Sequence, residues 1–296
     1  MKQSLSIVIP TYNRPTLLRR AVESAQVACP PDGEIIVVDD RSDTAVLALT
    51  DFKEDVRLKV VTNTGAKGAA GARNFGAEMA KGSILLFFDD DDTLVADYPA
   101  RVLAAATEGA DWGFSALTAT ENDRIRHIPR ENLSHGLIPD CVPLKDKTAA
   151  FSAGFWVRAA VFKALGEIAS DLVNDEDTDF CCRLHASKYS AWFEPEPGCH
   201  VYRGYDTGTT TAPQLTQSTD PEIMVRCYMQ TFQRNNAAFA EQPADRWFLL
   251  RRALRVAARE GTDHFAYEML RNLKPRHWQV KGWLFWQLKK LGTRLR

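Results

Sequence analysis

Short apolar runs alternate with helically spaced apolar positions along the N-terminal part of the chain. Leu5–Pro10, Glu34–Val38, Leu58–Thr62 and Ser83–Phe88 are dominated by Ile, Val, Leu and Phe. This is the pattern of strands buried on both faces of a sheet. Between the first two runs, Leu17, Leu18, Ala21, Val22 and Ala25 fall near helical spacing and predict a helix over 16–28; a second is predicted over 70–81. Strands alternating with helices predict a mostly parallel, Rossmann-like α/β sheet with right-handed crossovers and helices on its faces. Beyond Asp92 the pattern is less regular. Helices are expected over 97–107, 159–166 and 177–187, and a strand over Trp112–Thr118, while 121–147 is polar and resists assignment. The stretch 203–220, rich in Thr, Gly and Gln, reads as a loop. From Pro221 onward the spacing is helical, over 221–240, 244–260, 262–272 and 276–293.

Two of the four strands end in acid. Glu34–Val38 runs into Asp39-Asp40, and Ser83–Phe88 runs into Asp89-Asp90-Asp91-Asp92. In a parallel sheet both sets lie on the carboxyl edge, where open α/β sheets bind ligands. Four adjacent carboxylates repel one another, so some of their pKa values rise unless a cation neutralises them. Mg²⁺ or Mn²⁺ held by one or two such carboxylates takes its remaining oxygens from substrate phosphates. Asp39 and Asp40 could bind a base or ribose, or cap the next turn, and Tyr12 could stack on a base or pack on the following helix. Gly65–Asn74 fits neither G-x-G-x-x-G nor the P-loop pattern. Its glycines allow a close backbone approach, and Lys67 and Arg73 could reach a diphosphate, with an ion pair to the nearby acids as the other reading for Arg73. Glu176 and Asp177 stand at a predicted helix start, where carboxylates cap helices and where one could also serve as a general base.

Composition adds bounds. The chain has 296 residues, is 45% hydrophobic and 25% charged, and carries a formal net charge of −1. That balance hides an asymmetry: 13 of the 37 Lys/Arg but only 3 of the 38 Asp/Glu lie from Arg246 onward. The acidic body and the lack of a recognised module argue against nucleic-acid binding. The six cysteines show no CxxC spacing, and Cys181 and Cys182 are adjacent, so reduced thiols and a cytoplasmic protein are expected. No signal segment is visible, and no apolar run reaches the length of about 18 residues that a membrane span requires.

The quoted stretches SIVIPTYNR, EIIVVDDRSD, GAAGARNFG, FFDDDDTL and NDEDTDFCCRL occur in this order over about residues 4–205. As an ordered set they resemble the family 2 glycosyltransferases, nucleotide-diphospho-sugar transferases of the GT-A fold. The resemblance implies a catalytic domain over 1–220, with a nucleotide-sugar half at about 1–96 and an acceptor half at about 97–220. A basic, amphipathic helical extension would follow over 221–296. It implies that Pro10, Thr11, Tyr12 and Arg14 line the nucleotide site with Asp39, Asp40, Lys67, Arg73, Asp89 and Asp90. Asp91 and Asp89 would bind a divalent metal, Mn²⁺ or Mg²⁺. Asp177, supported by Glu176, would be the base of an inverting transfer. Gly154, Phe155 and Trp156 would line the acceptor pocket, with a backbone kink as the other reading for Gly154. The chain departs from the family pattern at Asp90, where a small residue is common. It departs again after Tyr202-Arg203, where Gly204 replaces a His, so His200 is expected to be structural.

The implied donor is a nucleotide-sugar, a UDP-sugar first. The implied acceptor is a saccharide or lipid-linked hydroxyl in surface polysaccharide or lipopolysaccharide synthesis at the inner face of the cytoplasmic membrane. A sugar nucleotidyltransferase would carry a Gly-rich basic loop after its first strand, where this chain has Pro-Thr-Tyr-Asn-Arg. A non-enzymatic scaffold that binds nucleotide would have no need of Asp177. The last predicted helix mixes Trp and Leu with Lys and Arg, which suits a helix lying on a membrane or one docked on the catalytic domain or on a second copy of the chain.

Overall fold

Every residue of the first strand, β1 (Leu5–Thr11), is buried, because β1 is central to the sheet and covered on both faces. The computed structural model describes residues 3–46, 52–121, 124–203 and 220–294. Parallel to β1 run β2 (Glu34–Asp39) on one side and β4 (Ile84–Phe87) on the other, and β3 (Leu58–Thr62) pairs with β2. Side-chain alternation splits these strands between two cores. Val8, Ile36, Val38, Leu85 and Phe87 face one. Leu5, Ile7, Ile9, Ile35, Val37, Leu86 and Phe88 face the other, under α1 (Pro15–Ala28). The second helix, α2 (Ala69–Met79), lies on the first face, pressed so close that a Cβ on Gly76 would sit 2.4 Å from Val8 Cγ1.

Beyond β4 the sheet is mixed. Its order is β3-β2-β1-β4-β9-β6-β10-β5, with β5 (Thr93–Leu94), β6 (Trp112–Glu121), β9 (Trp156–Arg158) and β10 (Ala191–Arg203). The parallel expectation thus holds for the four strands that end at the acidic edge and for β6 with β10, while β9 is antiparallel to both of its neighbours. The region 121–147 contains β7 (Arg124–Ile128), which pairs antiparallel with β6, then β8 (Gly136–Leu137) and α4 (Leu144–Lys147). The long strand β10 is not apparent in the hydrophobic pattern. Pro195, Pro197 and Gly198 interrupt it, and its register on β6 shifts between Glu194 and Cys199.

The remaining helices of the sheet body are α3 (Tyr98–Thr107), α5 (Ala159–Leu165) and α6 (Glu176–Ala186). Four more follow: α7 (Pro221–Asn235), α8 (Pro243–Glu260), α9 (Asp263–Arg271) and α10 (Arg276–Arg294). The first is shorter than its periodicity suggests and gives way to turns after Asn235. These helices share a third core, which also takes in Leu144 from α4 and Cys182 from α6. The expected loop over 203–220 lies almost wholly outside the described residues.

The approach of α2 to β1 generates a test. Gly76→Ala forces a methyl into Val8 and Val38, and an overpacked core loses about 1–3 kcal/mol. The unfolding free energy from urea titration should fall by that amount, the midpoint dropping at an unchanged slope, and a midpoint at the wild-type value would show that α2 shifts freely.

Candidate active site

Register brings the acids to β1. Val8 pairs with Phe87, so three residues on, Asp90 stands beside Thr11, whose hydroxyl donates to Asp90 Oδ2 at 2.7 Å. Arg14, just after β1, donates to Asp90 Oδ1 and to Asp91 Oδ2, each at 3.3 Å. Arg20 on α1 donates to the Asp91 carbonyl and stacks 3.6 Å from the ring centroid of Tyr202 on β10. Asp92 accepts from the Tyr202 backbone N–H at 3.2 Å. The acidic turn is therefore gripped from β1, α1 and β10. Pro10 and Thr11 are buried within the strand.

Asp39 and Asp40 organise the neighbouring loops. Asp39 accepts the N–H groups of Ser42 and Val46 at 2.9 and 3.1 Å. Asp40 accepts from Asn63 Nδ2 at 2.6 Å and from the Gly68 N–H, at the entrance to α2, at 2.7 Å. Asp40 thus holds the glycine loop in place, and each of its oxygens retains lone-pair capacity for a further donor. Tyr12 and Lys67 meet at the rim, the ammonium 4.8 Å from the ring centroid.

Arg73, on α2, is buried and committed to two carboxylates. It donates to Asp89 Oδ1 at 2.7 Å and to Glu176 Oε1 at 3.0 Å, and its guanidinium lies 4.6 Å from the Phe151 ring centroid. It thus joins the acidic turn to the start of α6, in the ion-pair arrangement rather than as an open cation for a diphosphate. Asp177, half-buried, accepts from the Thr178 N–H at 2.5 Å. Just before α6, Asp175 adopts the left-handed conformation with φ 69°. Its carboxylate, 2% exposed, pairs at 2.7 Å with Arg252 of α8. Arg252 and Arg20 are the two site cations that the sequence reading misses. Each comes from a helix whose periodicity explains its apolar face, and nothing local marks the polar residue that reaches a distant loop.

Burial and like charges raise the acids together. Burial and then the Asp91 charge push Asp90 up to about 7. Burial pushes Glu176 to about 7 and Asp175 to about 6, against the opposing pull of Arg73 and Arg252 respectively. Asp92 and Asp177 are raised by the same desolvation. Asp89, Asp91 and Asp92 can each bring one carboxylate oxygen within 4.8 Å of the others. This hard-oxygen set, crowded with like charge, fits a divalent cation such as Mg²⁺ or Mn²⁺. Asp92 joins the two expected ligands, while Asp90 is turned into the fold toward Thr11.

The acceptor expectation needs correction. Phe155 and Trp156 are 0% and 1% exposed; both are core side chains. Gly154 serves as a backbone kink, with φ 62° and a carbonyl that accepts from the Tyr98 hydroxyl. A Cβ there would lie 2.7 Å from the Tyr98 ring. His200 is held by Thr118 Oγ1 at 2.6 Å and Thr120 Oγ1 at 2.7 Å, a structural role.

Residues 6–166 match the family Glycosyl transferase family 2. A similar protein is the GalNAc(5)-diNAcBac-PP-undecaprenol beta-1,3-glucosyltransferase of Campylobacter jejuni, 39% identical over 108 residues, which are 36% of this chain and 35% of that protein. Another is the Escherichia coli UDP-Glc:alpha-D-GlcNAc-diphosphoundecaprenol beta-1,3-glucosyltransferase WfgD, 36% identical over 94 residues, 31% of this chain and 37% of that protein. The chain thus spans little more than a third of the length of these relatives. Among solved structures, S. aureus TarS 1–349 in complex with UDP-GlcNAc is similar with a TM-score of 0.69 over 99% of this chain and 92% of that one, at 15% identity. The fold is that of the GT-A glycosyltransferases.

The raised acids set a pH dependence. A carboxyl whose folded pKa exceeds its unfolded value keeps its proton longer in the native state, so its stabilising contribution is complete below the unfolded pKa and is lost as pH rises through the folded one. The unfolding free energy should therefore fall between about pH 4.5 and pH 7, with Glu176→Gln flattening the fall; a variant with the wild-type slope would show that Glu176 titrates normally. The Arg252–Asp175 pair gives a second test. Arg252→Met leaves a buried carboxylate without its partner and should cost about 3–5 kcal/mol. Asp175→Asn in the same chain should recover part of that loss, whereas strictly additive effects would show that the pair is uncoupled.

Proposed function

Because the chain belongs to Glycosyl transferase family 2, we propose that it is an inverting glycosyltransferase moving a sugar from a UDP-linked donor to a hydroxyl of a lipid-linked saccharide. One observation carries this reading: Arg73 ties the acidic turn at the end of β4 to Glu176, next to Asp177, so a donor site and a general base share one sheet edge. Asp177 takes the proton of the acceptor hydroxyl. The freed oxygen pair attacks the anomeric carbon from the face opposite the leaving group. The bond from that carbon to the diphosphate oxygen breaks, its electrons leave with the nucleoside diphosphate, and the configuration inverts. Glu176, paired with Arg73, orients the start of α6. A divalent cation held by Asp89, Asp91 and Asp92 would neutralise charge on the departing diphosphate.

Tyr12 and Lys67 stand at the rim, with buried Asp40 behind them, where base, ribose and phosphates would lie. The two relatives named above act on undecaprenol-diphosphate-linked saccharides, which supports a lipid-linked acceptor, UDP-glucose as the first donor to try, and work at the inner face of the membrane in surface-polysaccharide synthesis.

A base in proton transfer is worth about 10²–10⁴-fold in rate. Asp177→Asn should lose transfer by that factor while keeping the thermal stabilisation that UDP-sugar and Mn²⁺ confer on the wild type. Asp91→Asn should lose the stabilisation itself. Wild-type turnover in Asp177→Asn would refute the assignment of the base, and an absence of nucleotide stabilisation in the wild type would refute the donor site.

A further inference from the structure

Helix α10 is apolar on two faces. On the inner face Trp278 and Trp286 are 5% and 0% exposed. Gly282 lets the helix settle onto α8 and α9, since a Cβ there would lie 2.5 Å from Leu270 Cδ2 and 3.4 Å from Leu254 Cδ1. On the outer face Val280, Trp283, Leu284, Leu288 and Leu291 are 60, 46, 52, 68 and 58% exposed. They recur three or four residues apart, so they form one stripe about 16 Å long. Single exposed hydrophobes need no explanation, but a continuous stripe marks an interaction surface.

Charge selects the occupant. From Arg271 onward the sequence holds eight Lys/Arg and no Asp/Glu, and Lys281 and Lys289 are exposed on α10 itself. The Lys281 ammonium lies 4.1 Å from the Trp247 ring centroid. A second copy of the chain would set like charge against like charge in a two-fold contact. An anionic lipid surface complements both features, because it takes up Trp and Leu at headgroup depth and draws Lys and Arg to its phosphates. Among the described residues no helix is long and apolar enough to cross a membrane.

We propose that the outer face of α10, through Val280, Trp283, Leu284, Leu288 and Leu291, lies in the headgroup region of an anionic bilayer. The proposal deepens the lipid-linked-acceptor reading and rests on it for its setting. Helix α8 carries Leu254 toward Gly282 and Arg252 toward Asp175, so a single helix layer separates this face from the first turn of α6, which carries the base.

The test is co-sedimentation of the purified chain with phosphatidylcholine vesicles, with and without phosphatidylglycerol, in the absence of donor and acceptor. The wild type should pellet with the anionic vesicles and be released by high salt. The triple variant Trp283→Gln/Leu284→Gln/Leu288→Gln should bind at least about tenfold less, at an unchanged thermal midpoint. Should the triple variant fold poorly, Leu288→Gln alone should weaken binding measurably. Failure of the wild type to bind anionic vesicles, wild-type binding by the variants, or a wild-type dimer that the triple variant dissociates would each overturn the proposal. Because the assay involves no sugar transfer, its result stands apart from the fate of the catalytic reading.

Discussion

A single buried guanidinium holds the two acidic segments of the site together. Arg73 contacts Asp89 at one end and Glu176 at the other, residues 87 positions apart in sequence. Each segment would otherwise repel the other, since both carry several carboxylates in a water-poor setting. Arginine suits the post because its planar fork can satisfy two acceptors at fixed geometry and it stays charged when buried. Its position depends in turn on α2, which needs the Gly76 contact to lie close to β1 and the Asp40–Gly68 bond to begin where it does. A carboxylate at the end of β2 thus aims a cation at the end of β4.

The site is built with more negative charge than its cations cancel. Arg14, Arg20, Arg73 and Arg252 approach from the first turn, α1, α2 and α8, yet Asp90, Asp92, Asp175, Glu176 and Asp177 all remain harder to ionise than free carboxyls. Burial without full compensation is costly to the apo fold. A stable core does not need such an arrangement, but a site for a divalent cation can use it, because the cation supplies positive charge that the four arginines do not.

What was legible in the sequence follows from range. Strands β1 to β4 and the acids at their ends are written in contiguous residues, so apolar runs and the aspartates behind them mark the sheet and its carboxyl edge. The second half of the sheet is written in pairings. β10 is broken locally by Pro195 and Pro197 and becomes a strand through β6, and β9 has three residues. The same divide runs through the site. Asp89, Asp91 and Asp177 stand in acidic motifs that announce themselves. Arg20 and Arg252 do not, because a helical arginine looks solvent-facing until tertiary packing brings a carboxylate to it. Phe155 and Trp156 err the other way: the resemblance implies an acceptor surface, but Trp156 opens β9 between β4 and β6, and the two rings fall into the cores on either side of the sheet.

The helices after Pro221 are then more than a cover. They bury Leu144 and Cys182 in their own core, and Cys182 lies on α6, whose first turn bears Glu176 and Asp177. Arg252 reaches that turn directly. Any displacement of α8 must therefore be felt at the loop around Asp175, because a packed interior transmits movement rather than absorbing it. The two apolar faces of α10 extend the same logic outward. The inner face fastens α10 to α8, and the outer face leaves the assembly with a second surface to satisfy. With the proposed lipid-linked acceptor, that surface and the proposed base in the first turn of α6 would stand on opposite sides of one helix.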